Sequence, residues 1–130
     1  MHKGFLRLAA LLGALAVVLG AFGAHGLKSY VGPETISTFE TGVRYQFYHV
    51  FALLAVAILN ERFSSRWLKY AGNSFVIGII LFSGSLYLLT LLKATDTVGL
   101  KGIGVVTPIG GVFFVVGWLF LLPAFKKTSY

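Results

Sequence analysis

Residues 38–60 read TFETGVRYQFYHVFALLAVAILN. The stretch begins amphipathic and ends almost wholly apolar, yet Arg44, Tyr45, Gln46, Tyr48 and His49 stand near the point where it would enter a bilayer. Polar side chains at such a depth are costly unless other helices supply partners, so the rest of the chain is read as the surroundings of this segment. At helical spacing Ile36, Phe39, Val43 and Phe47 make one apolar stripe. Glu40, Arg44 and Tyr48 make a second, which continues onto Ala52 and Ala55, and a stripe passing from polar to small is expected to be a packing face. Along it Glu40 can pair with Arg44, and Tyr45 can reach His49, each at i, i+4. The competing expectation is an amphipathic turn at headgroup level with Arg44 snorkelling outward.

Working outward, the composition excludes an ordinary soluble domain. Of 130 residues 57% are hydrophobic and 12% charged, far from the balance of a water-soluble fold. Leu8 to Leu27, Tyr70 to Leu92 and Gly102 to Phe125 contain no Asp, Glu, Lys or Arg. Each can span roughly 30 Å of hydrocarbon at about 1.5 Å per residue. Together with the opening stretch they predict an all-α integral membrane bundle, one domain of four transmembrane helices at approximately 5–25, 38–60, 70–92 and 103–125. The net charge of +7 comes from residues scattered through the flanks, which form no basic face with interleaved aromatics, so nucleic acid is not an expected partner. They read as topology signals. Lys3, Arg7, Arg62, Arg66, Lys69, Lys126 and Lys127 fall on the side of the termini, against Lys28, Arg44, Lys93 and Lys101 on the other. This asymmetry predicts a multi-pass protein of the cell (inner) membrane with both termini cytoplasmic. There is no cysteine, which excludes disulfides, thiolate metal sites and Cys nucleophiles. Met1 to Gly26 imitates a secretory signal, but its apolar core is long for one and it is expected to stay as the first helix.

In that first helix Ala9, Gly13, Ala16, Gly20 and Gly23 recur at spacings of four and three, a strip that lets a neighbouring backbone approach closely. Gly13, Ala16 and Gly20, with Gly78, Gly110 and Gly111 in later spans, are the candidate helix-packing positions. His25 closes the helix as a cap or interface residue. Gly32-Pro33-Glu34 reads as a turn opening the second helix, with Glu34 in its first turn. Asn60 to Lys69 reads as a short charged loop ending near the interfacial anchors Trp67 and Tyr70, and Trp118 is expected at the inner interface. The third span carries Ser83-Gly84-Ser85-Leu86-Tyr87 just past its middle. Lys93 to Gly102 reads as the third loop. The fourth span either starts at Pro108 with Thr107 as its cap, leaving Ile103 to Val106 as non-helical chain or a first turn, or starts earlier and kinks there.

Alternating the direction of the spans brings His25, Tyr45, Gln46, His49, Ser83, Ser85, Tyr87, Thr107 and Pro108 toward one side, opposite the termini. HExxH, a P-loop, GxSxG and paired intramembrane carboxylates are all absent. Neither a catalytic residue nor a metal site or cofactor is expected, since only one histidine lies clearly within a span and no carboxylate is fixed beside it.

The blocks Leu19-Gly-Ala-Phe-Gly-Ala-His25, Thr41-Gly-Val-Arg-Tyr-Gln-Phe-Tyr-His49, Leu81-Phe-Ser-Gly-Ser-Leu-Tyr87 and Thr107-Pro-Ile-Gly-Gly111 resemble the signature of the YgdD family of small bacterial inner-membrane proteins. The resemblance covers nearly the whole chain. It implies a four-span protein and implies no reaction. The family pattern falls on His25, Tyr45, Gln46, His49, Ser83, Ser85, Tyr87, Thr107 and Pro108 and does not demand a basic residue at Arg44, which therefore ranks below His49. Three functions are compatible with these residues. The first is a structural or accessory bundle, oligomeric, whose polar cluster holds helices together. The second is an oligomeric channel or transporter for a small solute, proton or ion, with His25 and His49 titrating. The third is a lipid- or quinone-directed enzyme using His49 as base and Tyr45 or Tyr87 as proton donor. The lipid bilayer is the one partner the sequence names; a protein partner is not identified by it.

Overall fold

The structure, a computed structural model, describes residues 2–95 and 101–125. These residues are helical throughout apart from short connections, and four helices are long and apolar enough to cross a membrane. We number them α1 (Lys3–Ala24), α2 (Pro33–Phe63), α3 (Arg66–Ala94) and α4 (Lys101–Ala124). The protein is an all-α membrane bundle.

The helix ends follow from local chemistry. The backbone N–H of His2 bonds to the Ala57 carbonyl at 3.0 Å while its Nδ1 accepts from the Phe5 N–H, so the start of α1 is tied to the end of α2. A 3₁₀ turn over Gly26–Ser29 leads to α2, whose N-cap is Gly32 with Pro33 at the first helical position and Glu34 in the first turn. The segment Asn60 to Lys69 is not a loop. Only Ser64 and Ser65 separate α2 from α3: Ser64 has φ 25°, in the left-handed region that ends helices, and Ser65 Oγ caps α3 by accepting from the Trp67 N–H at 3.2 Å. Likewise Lys93 and Ala94 still belong to α3 and Gly102 to α4; the chain between, 96–100, lies outside the described residues, as do Lys126 and Lys127. The fourth helix is continuous from Lys101, with Pro108 inside it, so Ile103 to Val106 are helical and Thr107 is no cap.

α2 and α3 are the centre of the bundle. Of the most apolar window in each helix, 50% is buried in α2 and 39% in α3, against 17% in both α1 and α4. α1 lies along α2 through its small-residue strip: a Cβ added to Gly13 would stand 3.4 Å from Val50, one on Gly20 3.5 Å from Val43, and one on Gly23 would meet the Phe39 ring at 2.9 Å. Ala9 and Ala16 are fully covered on the same face. This antiparallel register sets His49 level with the middle of α1. α4 lies along α3, where a Cβ on Gly78 or Gly117 would run into the rings of Phe114 or Phe75.

In the middle of α3, Ile79–Ser83 forms one turn of π-helix, closed by the Gly84 N–H bonding to the Ile79 carbonyl. A π-turn widens the helix by one residue and changes which faces the following side chains address. It lies against Gly110 of α4, where an added Cβ would overlap the backbone of Leu81 and Phe82. Gly111 has its nearest such neighbour at 3.9 Å and is not tightly opposed.

Candidate functional site

The polar side chains buried between the spans belong to α2 and α3; α4 contributes the half-buried Thr107 and the exposed Trp118, and α1 a carbonyl. His49, 4% exposed on α2, engages both ring nitrogens. Its Nδ1 lies 2.7 Å from the Tyr45 carbonyl and its Nε2 3.1 Å from the indole Nε1 of Trp118 on α4. A carbonyl only accepts and an indole N–H only donates, so the ring is the neutral tautomer with its proton on Nδ1. One face of the imidazole stacks on Phe114, centroids 3.6 Å apart and planes 8° from parallel, with Phe75 at 5.5 Å. Each ring nitrogen has a partner, and the partner of Nε2, Trp118, is itself 48% exposed.

One turn toward the start of α2, Gln46 is 1% exposed and bridges three helices. Its Nε2 donates to the Leu12 carbonyl of α1 at 2.7 Å, and its Oε1 accepts from the Tyr87 hydroxyl of α3 at 2.6 Å. A further turn along, Ser83 Oγ donates to the Gly42 carbonyl at 2.6 Å. Gly42 is small because the Tyr87 ring lies where a Cβ would go, 2.9 Å away. Two residues past Ser83, Ser85 turns to the other neighbour, its hydroxyl 2.5 Å from Thr107 Oγ1 on α4 and 2.8 Å from the Phe82 carbonyl. The serines thus serve opposite partners across the π-turn. Among the described residues one buried side-chain atom lacks a partner, Asn60 Oδ1 near the other end of α2.

The expected cluster is therefore brought together in part. Gln46 and Tyr87 bond to each other, Ser85 bonds to Thr107, Ser83 to the Gly42 carbonyl, and His49 to none of these. Tyr45 joins through its carbonyl, while its ring, 37% exposed, leans on Phe82 at 4.8 Å. Pro108 is exposed beside Thr107, and His25 is exposed at the end of α1, apart from the network. Glu40, Arg44 and Tyr48 do not form a packing face: all three are exposed and no ion pair joins Glu40 to Arg44. The buried face of α2 is instead Phe39, Gly42, Val43, Gln46, His49, Val50 and Leu53. The physical reason is length. At about 1.5 Å per residue the 31 residues of α2 run to about 46 Å, well beyond a 30 Å core, so its first turns up to Glu40 can stand where water solvates them, while Arg44 can snorkel toward that surface along its long side chain.

Trp118, expected at the interface, is the partner of His49 that sequence reading missed. An indole N–H away from water needs an acceptor, and a lone buried imidazole needs a donor, a complementarity that could have paired them. Among the described residues no three of His, Cys, Asp and Glu converge as metal ligands would. Chemically, the arrangement as built can hold helices in register; its donors and acceptors are already paired.

The chain is similar to a family described as protein of unknown function (DUF423), whose model matches residues 19–111. It is 42% identical to the UPF0382 membrane protein SAB0533 of Staphylococcus aureus over 127 residues, 98% of each chain. It is 40% identical to a UPF0382 membrane protein of Haemophilus influenzae over 99% of each chain, and 39% identical to the UPF0382 inner membrane protein YgdD of Escherichia coli over 90% of this chain and 85% of that one. No solved structure matches. With a family match across most of the chain and relatives of near-equal length, this protein is a member of the DUF423 family of membrane proteins.

Proposed function

We propose that the protein acts as a structural or accessory bundle of the cell membrane, in which the polar residues between the spans fix how the helices pack. The observation that carries this reading is His49, whose two ring nitrogens are both bonded inside the bundle and whose face is covered by Phe114. A titrating relay or a general base needs a lone pair or proton free to exchange, and here each is committed. Both termini face the cytoplasm in this proposal, supported by the excess of Lys and Arg on their side. A homo-oligomer is part of it too, supported by the small buried share of α1 and α4, whose outer faces are open to another copy.

The test is unfolding of the purified protein in detergent. Replacing His49 by Ala removes the imidazole stack and leaves the Trp118 N–H without its acceptor, so the variant unfolds at lower denaturant, by about 2–4 kcal/mol. Wild-type unfolding together with loss of a proton or solute flux from liposomes would favour a transporter instead.

A further inference from the structure

The outward face of α2 carries more order than a surface turned to lipid requires. Arg44, Phe51 and Ile58 recur every seven residues, and Tyr48, Ala55 and Arg62 repeat in the same way between them, all six exposed. This alternation of three and four is the spacing by which one helix packs along another. The same face carries both signs of charge: Glu40, one turn before Arg44, is exposed, and no ion pair joins the two. α1, α3 and α4 contain no acidic residue, so among the spans only α2 offers a face whose charges complement themselves.

We infer that this face of α2 docks a second copy of the chain, the two α2 helices lying parallel about a two-fold axis along the membrane normal. The inference rests on the homo-oligomer proposed above and gives that oligomer its contact. Beside α4 the face opens into a depression of about 260 Å³ whose lining includes Tyr48, Phe51, Ala52 and Ala55. In parallel packing a side chain seats between four residues of the facing helix, those at the same position and three before, one after and four after it. For Phe51, 63% exposed, these are again Tyr48, Phe51, Ala52 and Ala55, so the depression of each copy receives the ring of the other. Nearer the surface opposite the termini, Glu40 of one copy and Arg44 of the other are offset along the axis by about 6 Å at 1.5 Å per residue. A guanidinium snorkelling outward rises to the level of that carboxylate, and the two-fold makes the contact twice. A phospholipid headgroup also offers charges to Glu40 and Arg44, but it leaves the seven-residue spacing below them without a role.

The chain has no cysteine, so single introduced cysteines report the contact. The full chain is reconstituted in liposomes of phosphatidylethanolamine and phosphatidylglycerol at a high lipid-to-protein ratio and oxidised with copper phenanthroline. Ala55→Cys and Ile58→Cys are expected to give about fivefold more disulfide-linked dimer than Leu11→Cys on α1 or Val115→Cys on α4, the ratio given by about 1 kcal/mol of preference. Leu11 and Val115 are exposed and stand at a similar distance from the helix ends on the side of the termini. In the Ala55→Cys chain, Glu40→Arg or Arg44→Glu alone lowers the yield about fivefold, and the two together restore it. Both side chains are exposed, so these exchanges leave the packing of the single chain in place. A greater yield at position 11 or 115 would overturn this interface while leaving a homo-oligomer standing. Absence of dimer at all four positions would overturn both. A yield at Ala55→Cys that the single reversals leave intact, or that the double exchange fails to restore, would overturn the docking as described.

Discussion

Gln46 shows how an amide can be kept at the centre of a membrane bundle: both ends of its side chain are bonded, to α1 and to α3. Removing one partner leaves a desolvated acceptor behind, so Tyr87→Phe is expected to cost about 1 kcal/mol, and Gln46→Leu more because it frees both the Leu12 carbonyl and the Tyr87 hydroxyl. Unfolding in mixed micelles measures both. Tyr45→Phe provides the contrast, since the bond to His49 comes from its backbone carbonyl and survives. That variant, with Glu40→Gln and Arg44→Gln at exposed positions, should remain within about 0.5 kcal/mol of wild type. A larger loss at Glu40 or Arg44 than at Gln46 would contradict the placement of the polar face.

At the level of elements, the α3–α4 contact depends on the π-turn and the glycine opposite it. An added methyl at Gly110 would enter the Leu81 and Phe82 backbone, which cannot swing aside as a side chain can. Gly110→Ala should therefore destabilise by about 1–3 kcal/mol, whereas Gly111→Ala, one residue on, meets its first atom at 3.9 Å and should be nearly neutral. Equal unfolding midpoints for the two variants would show that the helices are not so closely apposed. Serines two residues apart point to opposite sides of any helix, about 200° apart, so Ser83 reaches α2 and Ser85 reaches α4.

For the whole molecule, four uncharged or weakly charged runs made the number of spans legible, because backbone in hydrocarbon must be helical or closed into a barrel. Alternation of the spans placed Gln46, His49, Ser83, Ser85, Tyr87 and Thr107 on facing helices, but not the separate pairs in which they bond, Gln46 with Tyr87, Ser85 with Thr107 and His49 with Trp118. The exposed Glu40, Arg44 and Tyr48 stripe fits the competing expectation of an outward-snorkelling Arg44 and not that of a packing face within the chain, and the opening of α2 at Pro33 was legible in Gly32-Pro33-Glu34. Trp118 escaped because it meets His49 across 69 positions, through a register set by where Gly110 and Gly117 let α4 settle against α3. The π-turn has no marker in residue type. Topology is directly testable in a chain without native cysteine: His2→Cys and Phe125→Cys should react with an impermeant maleimide from the cytoplasmic side only, and Tyr30→Cys from the outside only. Labelling of positions 2 and 30 from one side would break the four-span path.

That buried polar groups act here as helix-to-helix bonds is tested most directly by a double-mutant cycle on His49 and Trp118, using His49→Phe, Trp118→Phe and the pair, each unfolded reversibly in detergent. A shared hydrogen bond between spans gives a coupling of about 0.6–1.7 kcal/mol, with the double variant less destabilised than the sum of the singles. Strictly additive losses, or a His49→Phe variant as stable as wild type, would contradict it.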